Sequence, residues 1–83
     1  MRIFNYELDI AIDEIYIYLT PEEIKELVSK LQYLIANPEN HHFHFNEYDL
    51  NGEILREINV SIYTKDNVNE FDERSRRLIV EGK

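Results

Sequence analysis

Residues 42–61 read HFHFNEYDLNGEILREINVS, and this stretch decides the fold. It places Asn51-Gly52, a favoured two-residue hairpin turn, between two alternating runs. Centring a hairpin there sets Phe45 opposite Ile58 and Phe43 opposite Val60, apolar against apolar. The same register sets His44 opposite Asn59, His42 opposite Ser61 and Asn46 opposite Glu57, polar against polar. A slip of one residue would put phenylalanine against polar side chains, so the turn and the face pattern specify one register independently.

Immediately upstream, Thr20-Pro21-Glu22-Glu23 opens a helix. Thr20 caps the first amides, Pro21 suits the first helical position, and Glu23 completes a capping box. The acidic first turn also suits the positive end of the helix dipole. Ile24, Leu27, Val28, Leu31, Leu34 and Ile35 then recur at three- and four-residue steps as one apolar stripe, with Lys25, Glu26, Lys30 and Gln32 opposite. Asn37-Pro38 ends the helix, because a residue before proline is driven out of the α region.

Nearer the N-terminus, Phe4, Tyr6, Leu8, Ile10 and Ile12 alternate with Asn5, Glu7, Asp9, Ala11 and Asp13, the pattern of a half-buried strand. At Asp13-Glu14 the parity switches to Ile15, Ile17 and Leu19. A first hairpin with Asp13-Glu14 as its loop accounts for the switch, pairing Ile12 with Ile15, Ile10 with Ile17 and Leu8 with Leu19. Neither Asp nor Glu favours positive φ, so a longer loop in a shifted register is the alternative. Beyond Thr64, Lys65 to Glu70 read as loop, and Phe71 is placed to pin that loop to the core. The apolar run Leu78-Ile79-Val80 predicts a short final strand, with one helical turn around residues 69–75 as the other option. The expected fold is α+β, a single domain over residues 1–83 whose segment 65–83 is least specified. It has two layers, one helix packed on a mainly antiparallel sheet, in the order β-β-α-β-β with a short fifth strand as an option.

Composition narrows the functional classes. The chain has 83 residues, 43% of them hydrophobic, enough for one small core and against wholesale disorder. It has no cysteine, which removes disulfides, thiolate metal sites and thiol nucleophiles and fits a reducing compartment. Residues 1–7 show no basic stretch followed by an apolar run, and no run is long enough to cross a bilayer, so a cytoplasmic protein without a secretory leader is expected. Seventeen acidic residues against nine basic ones give a net charge of −8, which repels nucleic acid and anionic membrane and attracts basic partners. Arg74, Arg76 and Arg77 form the one basic spot; without a recognition motif, they are assigned to neutralising the acidic hairpins.

Catalytic apparatus is not visible in the sequence. Ser29, Ser61 and Ser75 sit in no strand–turn–helix elbow. Ser61 opposite His42 makes a nucleophile–base pair on paper, with nothing to mark an oxyanion hole. Gly52 and Gly82 do not make a phosphate-cradling loop. The chain therefore reads as a binding module, not an enzyme, with no cofactor. All three histidines lie at His41, His42 and His44. On a strand His42 and His44 share a face with Cβ atoms roughly 7 Å apart, enough to offer two imidazoles to a metal with Glu57 as a carboxylate across the hairpin. The other reading is that they cover the solvent face of the sheet or fill an interface. The candidate partner-binding set is accordingly His42, His44, Asn46, Tyr48, Glu57, Asn59 and Tyr63. Tyr16, Tyr18, Tyr48 and Tyr63 fall on strand faces opposite the apolar ones, a residue type enriched at interface hot spots.

Taken together, Leu19-Thr20-Pro21-Glu22-Glu23-Ile24, the amphipathic helix it opens, and the strand His42-Phe43-His44-Phe45 resemble the small immunity proteins of bacterial polymorphic-toxin systems. In that group a Pro-Glu-Glu-Ile/Leu helix start precedes a His-x-His strand. The resemblance spans residues 15–62 or so. It implies a non-catalytic cytoplasmic protein that binds and neutralises a toxin domain, often a basic nuclease, with residues 41–44 as interface. It supplies no established functional residues. Two alternatives stand beside it: a small homodimeric structural or adaptor domain, whose pairing would enlarge a marginal core, and a metal-binding protein using His42 and His44.

Overall fold

A computed structural model describes residues 1–82. Its strands and helices run β1 (Phe4–Asn5), β2 (Ile10–Ala11), α1 (Pro21–Ala36), β3 (His42–Tyr48), β4 (Ile54–Ser61) and α2 (Glu73–Glu81), with 3-10 turns at Pro38–Asn40 and Val68–Glu70. The class is α+β. The strands form two separate antiparallel pairs, β1–β2 and β3–β4, instead of one sheet. The chain divides into two compact units, residues 19–62 and residues 1–18 together with the chain from Tyr63.

In the unit of residues 19–62, the α1 capping box forms as the sequence dictates. Thr20 Oγ1 accepts from the Glu23 amide at 3.2 Å, and Glu23 Oε1 accepts from the Thr20 amide at 2.9 Å. The Thr20 amide, with the Thr20 side chain adding to it, holds the Glu23 carboxyl below its ordinary value. At the other end the amide and Nδ2 of Asn37 both donate to the Tyr33 carbonyl, at 2.9 and 3.0 Å. Pro38 then forbids another α turn. His41, in the left-handed region at φ 67°, redirects the chain into β3.

The β3–β4 hairpin holds all five anticipated pairs: Phe45–Ile58, Phe43–Val60, His44–Asn59, His42–Ser61 and Asn46–Glu57. Its turn differs from the expected two-residue Asn51-Gly52 form. The Asp49 amide donates to the Glu53 carbonyl at 2.8 Å and the Gly52 amide to the Asp49 carbonyl at 3.1 Å, so the loop is Leu50-Asn51-Gly52. Gly52 takes the left-handed position at φ 81°. The Asp49 carboxylate secures this form by accepting from the amides of Asn51 at 2.8 Å and Glu53 at 2.9 Å. The longer loop offsets the register by one residue. Tyr48 pairs with Ile54 while Glu47 pairs with Arg56, so Leu55 is left as a bulge that restores it. Helix α1 contacts β3, and Leu34 and Phe45, each 6% exposed, are the buried side chains of this unit.

The other unit corrects two expectations. The first hairpin does not turn at Asp13-Glu14. β1 pairs with β2 as Phe4–Ala11 and Asn5–Ile10 around the loop 6–9, and residues 13–19 lie in no helix or strand. The pairs Ile12–Ile15, Ile10–Ile17 and Leu8–Leu19 are therefore absent. The earlier loop prevails because it has the turn chemistry that Asp-Glu lacks: Asn5 Oδ1 accepts from the Leu8 amide at 2.9 Å, and Asp9 occupies the left-handed region at φ 56°. Nor is there a fifth strand among the described residues, since Leu78-Ile79-Val80 lies inside α2. Asp72 at the helix start is extended, and its carbonyl accepts from the Arg76 amide at 2.8 Å. Gly82 closes the helix at φ 74°, donating to the Leu78 carbonyl at 2.8 Å. Leu78, 1% exposed, anchors this unit, and Arg2 Nε donates to the Ile79 carbonyl at 2.8 Å.

Candidate functional site

Alternation along β3 and β4 gives the hairpin two chemically distinct faces. Phe43, Phe45, Ile58 and Val60 occupy one face; His42, His44, Asn46, Glu57, Asn59 and Ser61 occupy the other. The Lys30 ammonium lies 6.0 Å from the Phe43 ring, which puts α1 on the apolar side and leaves the polar side outward. Register alone thus brings together His42, His44, Asn46, Glu57 and Asn59 from the predicted set. Tyr48 joins them at the edge, where the bulge pairs it with Ile54. Tyr63 lies beyond β4, in the other compact unit.

The two imidazoles meet edge to face, with centroids 5.2 Å apart and planes at 86°. His44 Nδ1 lies 3.6 Å from Glu57 Oε1, too long for a hydrogen bond but close enough for an ion pair when the imidazole is protonated. Asn46 Nδ2 donates to the Tyr48 hydroxyl at 3.4 Å, while Asn46 Oδ1 is enclosed without a partner. Turning the amide over would only exchange which end is unpaired. On the opposite face, at the turn end of the Phe43–Phe45 row, Glu47 and Arg56 form an exposed ion pair at 2.5 Å, of a kind worth little to stability. Among the described residues no three His, Asp or Glu side chains converge on a point where a metal could sit.

Charge is unevenly divided. Residues 19–62 carry eight carboxylates against three cations, Lys25, Lys30 and Arg56, a net −5 of the chain's −8. In the other unit two of the three clustered arginines, Arg74 and Arg77, are engaged on Asp9 in the loop of the first hairpin, which answers part of the expectation that they neutralise the acidic hairpins. Arg74 Nε and Arg77 Nη2 lie 2.9 and 3.1 Å from the Asp9 carboxylate, and Arg74 also donates to the Tyr6 carbonyl and stacks 4.3 Å from the Tyr6 ring centroid. Hydrogen bonds from Arg74 and then Arg77 hold the Asp9 carboxyl below its ordinary range. An open depression beside α2, lined by Asp72, Glu73, Arg74, Arg77 and Glu81, is built on this same cluster.

Tyr16 and Tyr18, expected on a strand face, lie in the irregular segment; both are exposed, and the Tyr16 hydroxyl donates to Glu14 at 2.9 Å. No helix among the described residues is long and apolar enough to cross a membrane. Compared with known proteins, the chain matches no family model, no curated protein and no solved structure.

Proposed function

We propose that this chain is a non-catalytic, cytoplasmic binding protein of the immunity type, which inhibits a basic toxin domain through the acidic unit of residues 19–62. One observation carries the reading: the unit holding most of the negative charge also presents an outward polar face of His42, His44, Asn46, Glu57 and Asn59, edged by Tyr48. A cationic partner approaching that unit is steered by its field, which raises the association rate and rejects acidic competitors. At contact the imidazoles and the Asn59 amide offer directional groups, and Tyr48 offers a ring with a polar tip. The immunity-protein resemblance of residues 15–62 and the charge support the same conclusion from separate starting points.

The test is capture of a partner by the tagged full-length chain at low salt, followed by reconstitution of the purified pair. A basic protein should be recovered in stoichiometric amount, bind more weakly as salt rises, and lose its toxic activity when complexed. Replacing both His44 and Asn59 with lysine should weaken binding by roughly a hundredfold or more, as two repulsive charges enter the contact. A captured partner that is acidic, or that binds the double variant and the parent chain equally, would rule the reading out.

A further inference from the structure

The α1 stripe is wider than its own unit covers. Leu34 is buried and Leu27 half-buried, but Ile24, Val28, Leu31 and Ile35 are 49, 46, 40 and 75% exposed. These four follow one another at steps of four, three and four residues along a 16-residue helix. That is the spacing of the apolar seam in a coiled coil, where residues at alternating three- and four-residue steps face a partner helix. A four-three-four pattern also reads the same from either end. A two-fold axis between Val28 and Leu31 therefore sets Ile24 against Ile35 of a second copy and Val28 against its Leu31, every seam residue meeting an apolar one.

Surface area limits how strong such a contact can be. The four exposed fractions amount to on the order of 400 Å² of apolar side chain, within the range of about 300–600 Å² that the largest patch on a typical monomer reaches, a patch that is often functional. A standard stable interface needs about 800 Å² from each partner, so the seam supplies about half. The neighbouring Lys25 and Gln32 side chains flank it and add covered stem area. We infer that the chain self-associates as an antiparallel, two-fold dimer through α1, held weakly, with dissociation in the micromolar range. Antiparallel helices also set their dipoles favourably. Two copies of net charge −8 repel each other, so this dimer tightens as salt screens the repulsion. The polar face of β3–β4 lies on the far side of the hairpin from α1 and stays open in each copy. Dimerisation is thus independent of the proposed partner site, and either can fail alone.

Sedimentation equilibrium of the full chain, from about 1 to about 100 µM and from about 50 to about 500 mM salt, reads the association directly. A monomer–dimer equilibrium that strengthens with salt is expected. Leu31→Glu, which brings two carboxylates to the centre of the seam, should weaken it by roughly a hundredfold or more with helix content unchanged. Because the chain has no cysteine, single substitutions report the pairing: Val28→Cys mixed with Leu31→Cys should crosslink between copies far more than either does alone. A strict monomer at the highest concentration and salt overturns the inference. So does a dimer in which Val28→Cys crosslinks to itself as readily as to Leu31→Cys. If Leu31→Glu unfolds the chain, the cysteine pairing alone decides.

Discussion

Deleting a residue from inside a β-strand ordinarily throws every later side chain onto the wrong face. Deleting Leu55 is expected not to. The three-residue loop sets Asp49 against Glu53 and Tyr48 against Ile54, whereas Glu47 faces Arg56, so Leu55 is the one strand residue without a cross-strand partner. Its removal joins Ile54 directly to Arg56 and leaves every other pair, from Glu47–Arg56 to His42–Ser61, where it stands. Leu55 is 56% exposed, so the burial lost is less than half that of a core leucine, about 1 kcal/mol. Closing the bulge restores ladder hydrogen bonding worth about 0.5–1.5 kcal/mol. The two effects nearly cancel, and the net change is expected to lie within about 1 kcal/mol of zero. Deleting Asn59 is the contrast: either Ile58 or Val60 must leave the apolar face and a polar residue must enter it, at about 2–4 kcal/mol. Urea unfolding of the two variants, with cross-strand NOEs between Phe45 and Ile58 as the register probe, measures both effects. Equal destabilisation by the two deletions, or loss of the Phe45–Ile58 contact on removing Leu55, would refute the compensating-bulge account.

Other expectations are more local. Thr20→Ala removes the cap that holds the Glu23 amide and should cost about 1 kcal/mol in a urea melt, most of it recovered by Thr20→Ser. Leu78→Ala empties the most buried position of its unit and should cost about 2–5 kcal/mol; a loss below about 1 kcal/mol would mean that α2 is not packed as described. Asp9 titrates below its ordinary value of 3.8 when folded, so its contribution is complete above that value and disappears as pH falls through the lower folded pKa. The stability difference between the parent chain and Asp9→Asn, followed by unfolding midpoint against pH, should therefore be constant well above the ordinary value of 3.8 and shrink as pH falls below it. A difference that grows on acidification would contradict the Arg74–Asp9–Arg77 arrangement.

Legibility in the sequence followed how many independent signals each element carried. For α1, a cap, a proline, a periodic stripe and a stop signal converged, and the helix runs from Pro21 to Ala36 as they require. The β3–β4 register was legible because two apolar pairs and three polar pairs admit one alignment, even though the loop was misread by one residue. That misreading cancelled against a bulge that pattern alone does not reveal: Asp49, whose carboxylate selects the longer loop, looks like any acidic residue. The N-terminal hairpin failed for the opposite reason. Alternation from Phe4 to Ile12 reads as one long strand, but a period of two says nothing about where a chain turns, and Asn5 and Asp9 carry that information. α2 was missed because three apolar residues, two of them β-branched, suggested a strand. Asp72 and Gly82, ten residues apart, bracket a helix instead, a start-and-stop pair open to sequence reasoning. Of the candidate site, strand alternation supplied every member except Tyr63, which lies past the end of β4.

Ionic strength separates the two surfaces proposed for residues 19–62. The polar hairpin face would draw a cationic partner through a field that fades beyond about 10 Å at 0.1 M salt, so its binding weakens as salt is added. The seam on α1 is apolar and joins copies of like charge, so the same salt strengthens it. No single contact responds in both directions. A titration that follows partner binding and sedimentation in one sample therefore resolves the surfaces without any mutation. Opposite slopes would show that one contact is electrostatic and the other apolar; if partner binding at fixed salt also falls as chain concentration rises, partner and second copy compete for one surface. Leu31→Glu would then decide which surface that is, since it disrupts the seam while leaving His42, His44 and Asn59 in place.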